Sequence, residues 1–154
     1  ALLVRGSAYD LEGFALHVPG EHHFNGVPAE GEIQMVHRDQ QGGYVIVAVA
    51  LRTGDRENRI LSRILDYLPM TSGERVRHRQ VGINPLFLLP TGRGYFRYTG
   101  SLTTPPCTES VLWYLMSEPL VISAAQLDRI RQAVGFNARP VQPLNARVIQ
   151  AVGR

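Results

Sequence analysis

The sequence predicts a sheet-dominated α+β fold. Three observations lead to this fold class: several segments alternate apolar and polar residues, one segment is a continuous apolar run, and only two segments have helical periodicity. The 154 residues suffice for a hydrophobic core and are too few to suggest two domains. We therefore expect a single domain over residues 1–154.

Three strands are predicted in the first third of the chain. Tyr9–Val18 alternates as a strand, and Gly31–Arg38 alternates again after a turn. Tyr44–Leu51 is apolar on both faces, as expected for a strand buried between two layers. The period of two places the following residues on one face of the first strand: Leu11, Gly13, Ala15 and His17.

The later elements are fewer and shorter. An apolar stripe predicts a helix over Arg56–Leu68 with Asp55 as its N-cap. Tyr95–Tyr98 and Ser110–Met116 are predicted strands. Ser123-Ala124-Ala125-Gln126 has the spacing of a capping box and therefore predicts a second short helix.

Charge and hydropathy argue against two classes of protein. The net charge is only +3, and the densest basic segment (Arg75, Arg77, His78 and Arg79) has no interleaved aromatic residues, so we expect no nucleic-acid partner. The longest apolar run, Tyr44–Leu51, is too short for a membrane span. The opening Ala-Leu-Leu-Val-Arg lacks the basic leader of a signal peptide and is typical of a strand.

The stretch from Gly100 to Glu109 reads Gly-Ser-Leu-Thr-Thr-Pro-Pro-Cys-Thr-Glu. Its composition alone favours an ordinary Pro-rich turn. As a motif, however, it resembles the signature of the α-carbonic anhydrases, and the tail from Asn137 to Leu144 resembles that family's Asn-x-Arg-Pro-x-Gln-Pro-Leu ending. The resemblance extends from about Tyr9 to Arg147. It implies a large, mainly antiparallel central sheet, with the family's N-terminal third missing.

In this family, zinc is held by two histidines two residues apart on one strand and by a third on the neighbouring strand. The resemblance places these ligands at Ala15, His17 and Gln34, so only His17 keeps an imidazole. Ala15 has no donor atom, and an amide such as that of Gln34 is a poor zinc ligand. We therefore expect no metal cofactor and no zinc-dependent catalysis.

The resemblance also implies what surrounds the lost ion. Glu32 matches a carboxylate that orients a ligand histidine, and Glu21 and Thr103 match a carboxylate–hydroxyl pair. Thr104 matches a neighbouring pocket hydroxyl. An apolar wall is implied at Val36, Ile46, Leu102, Val111 and Trp113.

Several of these residues also have a purely structural interpretation. A lone His17 on a strand face is more often a packed, hydrogen-bonded histidine than a ligand, and His22 and His37 match scaffold positions of the family. Cys107 is either a small buried side chain or, by the resemblance, the position that exported relatives pair with a cysteine of the N-terminal part. That match favours a periplasmic or extracellular location.

The sequence thus favours a catalytically inactive carbonic anhydrase-like protein that acts as an interaction domain or accessory subunit of a larger assembly. The expected partner is a protein, which could cover the place of the missing N-terminal strands. The alternative is an active carbonate dehydratase, with a non-standard zinc site or with ligands from a second chain. A third hypothesis is a small-molecule binding module that uses the pocket beside Thr103 and Thr104.

Overall fold

A curved sheet forms the centre of the structure, a computed structural model that describes residues 1–69, 71, 73–78 and 81–153. Arg79 of the predicted basic segment lies outside these residues. The strands, in chain order, are β1 (Leu2–Val4), β2 (Ser7–His17), β3 (His23–Phe24), β4 (Val27–Pro28), β5 (Gly31–Arg38), β6 (Tyr44–Gly54), β7 (Tyr95–Ser101), β8 (Glu109–Met116), β9 (Leu120–Ser123) and β10 (Gln150–Val152).

Eight of these strands form the central sheet, and β3 and β4 form a separate two-stranded sheet. The order in the central sheet is β1-β2-β5-β6-β8-β7-β10, with β9 also paired to β6. Only β8 and β9 run parallel to β6, and the other described pairs are antiparallel. The predicted sheet-dominated α+β class with a mainly antiparallel sheet is confirmed.

Three short helices complete the described elements: α1 (Arg59–Leu65), α2 (Ala124–Val134) and a 3-10 helix over Pro85–Leu88. None of the helices in the described residues combines the length and the apolar character that a membrane crossing requires.

The first helix is shorter than predicted. It begins at Arg59, and its N-cap is Asn58, whose side chain accepts a hydrogen bond from the Leu61 N–H at 2.8 Å. The expected cap, Asp55, lies before the helix. Asn58 is also tied to α2, because Gln126 Nε2 donates to the Asn58 carbonyl at 2.7 Å and Gln126 Oε1 accepts from its N–H at 3.0 Å. This tertiary contact fixes where α1 begins.

The second helix begins at the predicted capping box. The Gln126 N–H donates to Ser123 Oγ at 3.2 Å, and the Ser123 N–H donates to Gln126 Oε1 at 3.1 Å. The helix is followed by Gly135, whose φ of 65° suits glycine. Leu127 and Ile130 point into the core.

A bulge in β2 reverses the face of Leu11. The pairing of β2 with β5 shifts between Leu11 and Gly13, which leaves Glu12 as an extra residue. Leu11 consequently packs with Phe14 against the apolar cluster under the helices. The prediction that Leu11 shares a face with Ala15 is wrong, because simple alternation does not account for a bulge.

Apolar residues cover both faces of the sheet. On one face, the two α-helices pack on a cluster that includes Ile33, Leu61 and Ile130. On the other face, a second cluster includes Ile46 and Trp113. Strand β6 therefore lies between two packed layers, as its apolar run predicts. The candidate site lies beside the second cluster.

Candidate functional site

Strand register brings the three predicted ligand positions together. Ala15 of β2 lies opposite Gln34 of β5, and His17 lies opposite Glu32. Directly opposed residues of an antiparallel pair point to the same side of a sheet, with Cβ atoms about 4.5–5.5 Å apart. These four side chains, together with Glu21 from the loop after β2, form what we call the floor of the site.

Gln34 joins the two carboxylates of the floor. Its Nε2 donates one hydrogen bond to Glu21 Oε2 and one to Glu32 Oε1, both at 2.8 Å. Gln34 and Glu32 are 2% and 0% exposed, so bulk water does not separate these charges. Only the NH2 end of the amide can face both carboxylates, because its oxygen would repel them. The amide thus bridges two buried acids without carrying a charge.

His22 connects Glu32 to Tyr98. Its backbone N–H donates to Glu32 Oε2 at 3.0 Å, its Nδ1 lies 2.9 Å from Glu32 Oε1, and its Nε2 lies 2.7 Å from the Tyr98 hydroxyl oxygen. A proton on Nδ1 therefore points to the carboxylate, and Nε2 accepts from the phenol.

The same contacts set the protonation of Glu32 and Tyr98. Burial, the largest influence, raises the pKa of Glu32, but the interactions with His22 and the hydrogen bond from Gln34 together hold that pKa below its usual value. Burial, and then the charge of Glu32, raise the pKa of Tyr98. Glu32 is therefore an anion at neutral pH, whereas Tyr98 keeps its proton.

His17 is buried and poorly satisfied. It is 5% exposed, and neither ring nitrogen has a hydrogen-bond partner among the described residues. Its Nδ1 lies 3.4 Å from Glu21 Oε1. The hydrogen-bonded histidine expected under the structural interpretation is therefore not what these contacts show.

The structure does not pair Glu21 with Thr103. Glu21 Oε1 instead accepts the backbone N–H of Arg139 at 2.9 Å, and its Oε2 is taken by Gln34. Among the described residues, Thr103 makes no hydrogen bond to Glu21, although it lines the same cleft. By the resemblance, Thr103 would pair with the Glu21 carboxylate. The Gln34 amide occupies one oxygen of that carboxylate instead.

The two threonines of the signature loop are placed differently. Thr103 borders the cleft, whereas Thr104 is exposed and does not line it. The Thr104 carbonyl accepts the Cys107 N–H at 2.9 Å within the turn. Thr104 is therefore part of the turn and not a pocket hydroxyl here.

The five residues of the predicted apolar wall lie in one cluster beside the floor, and we call them the wall: Val36, Ile46, Leu102, Val111 and Trp113. Trp113 is 1% exposed and its Nε1 donates to the Ser101 carbonyl at 3.1 Å. Its ring stacks on Tyr98 with centroids 6.0 Å apart and planes 5° apart.

A cleft of about 690 Å³ opens above these residues. Its lining includes Glu21, Tyr98, Thr103, Trp113, Arg139 and Arg147. The cleft is lined by the end of β7 and by the tail that follows α2.

The family is decided by sequence comparison. Residues 2–153 match the profile of the eukaryotic-type carbonic anhydrases. The chain belongs to this family. The carbonic anhydrase of Neisseria gonorrhoeae is 41% identical over 153 residues, which cover 96% of this chain and 58% of that protein.

Solved carbonic anhydrase structures have the same fold. The α-carbonic anhydrase of Thermovibrio ammonificans, in complex with the inhibitor sulfanilamide, superposes with a TM-score of 0.86 at 42% identity, covering 96% of this chain and 65% of that one. Dioscorin, solved in complex with ascorbate, superposes with a TM-score of 0.83 at 31% identity, covering 98% and 65%. The chain therefore spans less than two thirds of the length of these relatives.

The donors on the floor do not fit the zinc ion that carbonic anhydrases use. Of the three ligand positions, only His17 supplies an imidazole. Ala15 has a methyl group, and the amide nitrogen of Gln34 is engaged by two carboxylates. Within the described part of the chain, no group of three or more His, Cys, Asp and Glu side chains could hold a metal ion.

Sequence reasoning did not assign three of the polar residues that border the cleft. Tyr98, Arg139 and Arg147 were not among its candidates. Arg139 is 118 residues away from its partner Glu21, so local patterns cannot connect the two. The one sequence signal for Arg139 was the family-like tail that contains it.

Proposed function

We propose that this chain is a catalytically inactive member of the carbonic anhydrase family that acts as an interaction domain or accessory subunit of a larger assembly. The observation that carries the proposal is the Gln34 bridge. The residue that replaces a ligand histidine donates to both Glu21 and Glu32 at 2.8 Å. The two acids are therefore stabilised by a neutral amide and do not need a cation between them.

The chemical reason is the absence of a nucleophile. The family's reaction needs a water molecule whose pKa a zinc ion lowers towards neutrality. One imidazole and an engaged amide are too few donors to hold that ion. The other groups do not replace it, because the Glu21 and Glu32 oxygens accept hydrogen bonds and Tyr98 keeps its proton.

Exposed apolar side chains support the interaction role. Leu3, Phe136 and Val148 are 76%, 85% and 72% exposed. Large apolar groups left in water favour contact with another surface. A protein partner that covers them would suit an accessory subunit. The periplasmic or extracellular location inferred from Cys107 stays a prediction.

A second candidate is an active carbonate dehydratase whose zinc takes ligands from a second chain. The observation in its favour is His17, a buried imidazole whose two nitrogens have no hydrogen-bond partner among the described residues. The gonococcal relative is also named as a carbonic anhydrase. This candidate needs at least two donors from the other chain, since zinc sites use three or more protein ligands.

The third candidate is a small-molecule binding module that uses the cleft. Its support comes from dioscorin, the structural relative that was solved in complex with ascorbate. This role is compatible with the loss of catalysis, because binding in the cleft does not require the floor to hold a metal.

Elemental analysis and a stopped-flow assay of carbon dioxide hydration separate the first two candidates. We expect far less than one zinc per chain and no sulfonamide-sensitive hydration above the buffer rate. His17→Ala is the matched control, because any metal that uses the surviving imidazole must be lost with it. One zinc per chain and a hydration rate that both disappear in His17→Ala would overturn the first proposal and support the second.

A further inference from the structure

Two arginine side chains border the cleft without a carboxylate partner. Arg139 and Arg147 both line it. Among the described residues, the arginines that form ion pairs are Arg38, Arg129 and Arg131. A guanidinium group stays charged at any ordinary pH. A partly buried cation that lacks an anion is destabilising, so both groups are suited to bind one.

Arg147 is held in place over β7. Its Nε donates to the Leu144 carbonyl at 2.9 Å, and its Nη2 donates to the Pro143 carbonyl at 3.0 Å. The guanidinium carbon lies 5.8 Å from the centre of the Tyr98 ring. Gly100 leaves the necessary room, because a Cβ there would lie 3.3 Å from Arg147 Nη1. These neutral groups fix the guanidinium without cancelling its charge.

Arg139 approaches the next residue of the same strand. Its Nη1 donates to Ser101 Oγ at 3.2 Å, while its backbone N–H holds Glu21. Both guanidinium groups thus contact the end of β7, and both arginines line the same cleft. An anion that binds there meets donors whose side-chain freedom is already restricted.

Two carboxylates also border the cleft, and neither neutralises these arginines. The Glu21 side chain is 5% exposed, and its oxygens already accept from Gln34 and from the Arg139 backbone. Glu109 is exposed, and within the described residues it forms no ion pair. An exposed carboxylate is well hydrated and interacts weakly even with a nearby cation.

We propose that the cleft binds a small aromatic carboxylate, with the carboxylate group on Arg139 and Arg147 and the ring beside Tyr98. A planar guanidinium binds a carboxylate through paired, charge-assisted hydrogen bonds. Tyr98 and Trp113 also line the cleft, and their rings are stacked on one another. The volume of about 690 Å³ suits a small ligand, for which pockets of about 300–1,000 Å³ are usual.

This site lies outside the floor, and it rests on the third candidate, a binding module in the cleft, for which it names the ligand class. It uses no metal, and it would remain if the chain proved to hydrate carbon dioxide. The zinc and hydration measurements therefore test the first two candidates, whereas benzoate binding tests the carboxylate site; binding of benzoate and benzamide with equal affinity would support the third candidate without this site.

The probe is benzoate, and the matched neutral ligand is benzamide, which has nearly the same shape without the charge. Trp113 is the only tryptophan and lines the cleft, so its fluorescence reports binding directly. We expect a saturable change with benzoate and binding of benzamide that is about tenfold weaker or more, because hydrogen bonds to charged groups are the stronger ones. Added salt should weaken benzoate binding.

Variants of the two arginines test whether these side chains bind the ligand. Arg139→Gln should weaken benzoate binding about tenfold, whereas Arg139→Lys, which keeps the charge but not the paired hydrogen bonds, should weaken it less. Arg59→Gln removes one exposed charge on α1, away from the cleft, and should bind benzoate as the unchanged chain does. Thermal unfolding identifies variants that no longer fold, and Arg147→Gln replaces Arg139→Gln if that variant is one of them.

Three results would overturn the proposal. The first is no saturable signal with millimolar benzoate. The second is equal affinity for benzoate and benzamide, which would mean that the charge is not recognised. The third is a folded Arg139→Gln variant that binds benzoate as tightly as Arg59→Gln does.

Discussion

The floor and the wall of the site lie on the same face of one sheet, yet they differ in how much of the family chemistry they keep. All five wall residues are apolar and pack in one cluster. On the floor, two of the three positions where the family has ligand histidines hold Ala15 and Gln34. The floor contains hydrogen-bonded acids, whereas the wall contains only packing contacts and one indole hydrogen bond.

The difference follows from the kinds of contact that stabilise the two regions. Apolar packing is non-directional, so the wall is stabilised by its own burial. A zinc site instead needs three or more donors in one geometry, so it tolerates fewer substitutions than a packed apolar wall does. The carboxylates that remain must still be satisfied in a buried place, and Gln34 does this with its two N–H groups.

The largest expected effect comes from placing histidines at the two substituted ligand positions of the floor, with the wall unchanged. Ala15→His together with Gln34→His should raise zinc affinity roughly a thousandfold or more, since even a residue that only orients a ligand is worth about 10–100-fold. Competition with a chelating dye measures this affinity. Each single variant is a control and should gain far less. A double variant that folds and still binds no zinc would show that the strand register does not bring these positions to one point.

The next largest effect, on the free energy of unfolding, comes from removing a large side chain from the wall. Trp113→Ala should lower the free energy of unfolding by about 3–5 kcal/mol, because it removes a buried indole and leaves a cavity. The stacking on Tyr98 is lost as well. Urea denaturation measures the change, and Trp113→Phe should cost clearly less. A loss below about 1 kcal/mol would mean that the wall can collapse around the cavity and is not a rigid scaffold.

A smaller effect comes from removing the bridge on the floor. Gln34→Leu keeps the side-chain size but leaves Glu21 and Glu32 without their shared donor, and should cost about 2–3 kcal/mol at neutral pH. Hydrogen bonds, including that of Gln34, hold the pKa of Glu32 below its usual value in the folded chain. This contribution is therefore present above the pKa of the unfolded chain and is lost as the pH falls through the folded pKa.

Denaturation at several pH values checks this prediction. The difference between Gln34→Leu and the unchanged chain should shrink at acid pH, where both carboxylates are protonated. Gln132→Leu, at an exposed position of α2, is the control and should change stability little. An equal cost at every pH would show that Gln34 acts through packing and not through the two acids.

Much of the fold followed from local patterns. Strand β5 has the bounds that alternation predicts, and the second helix begins at its capping box. The start of the first helix was wrong because Asn58 is fixed by Gln126, 68 residues away. The face of Leu11 was wrong because a bulge adds a residue to β2. Such errors arise where a distant partner or an unpaired residue overrides a regular period.

The sequence by itself determined the identities of the side chains on the floor, and the resemblance places the family's ligands at three of these positions, two of which are not histidine. Only the tertiary structure decided what those side chains do. It turned the amide of Gln34 towards two acids, left His17 without a hydrogen-bond partner among the described residues, and placed Arg139 and Arg147 over the end of β7. The physical reason is that hydrogen bonds join groups that are close in space, and most of these partners are far apart along the chain.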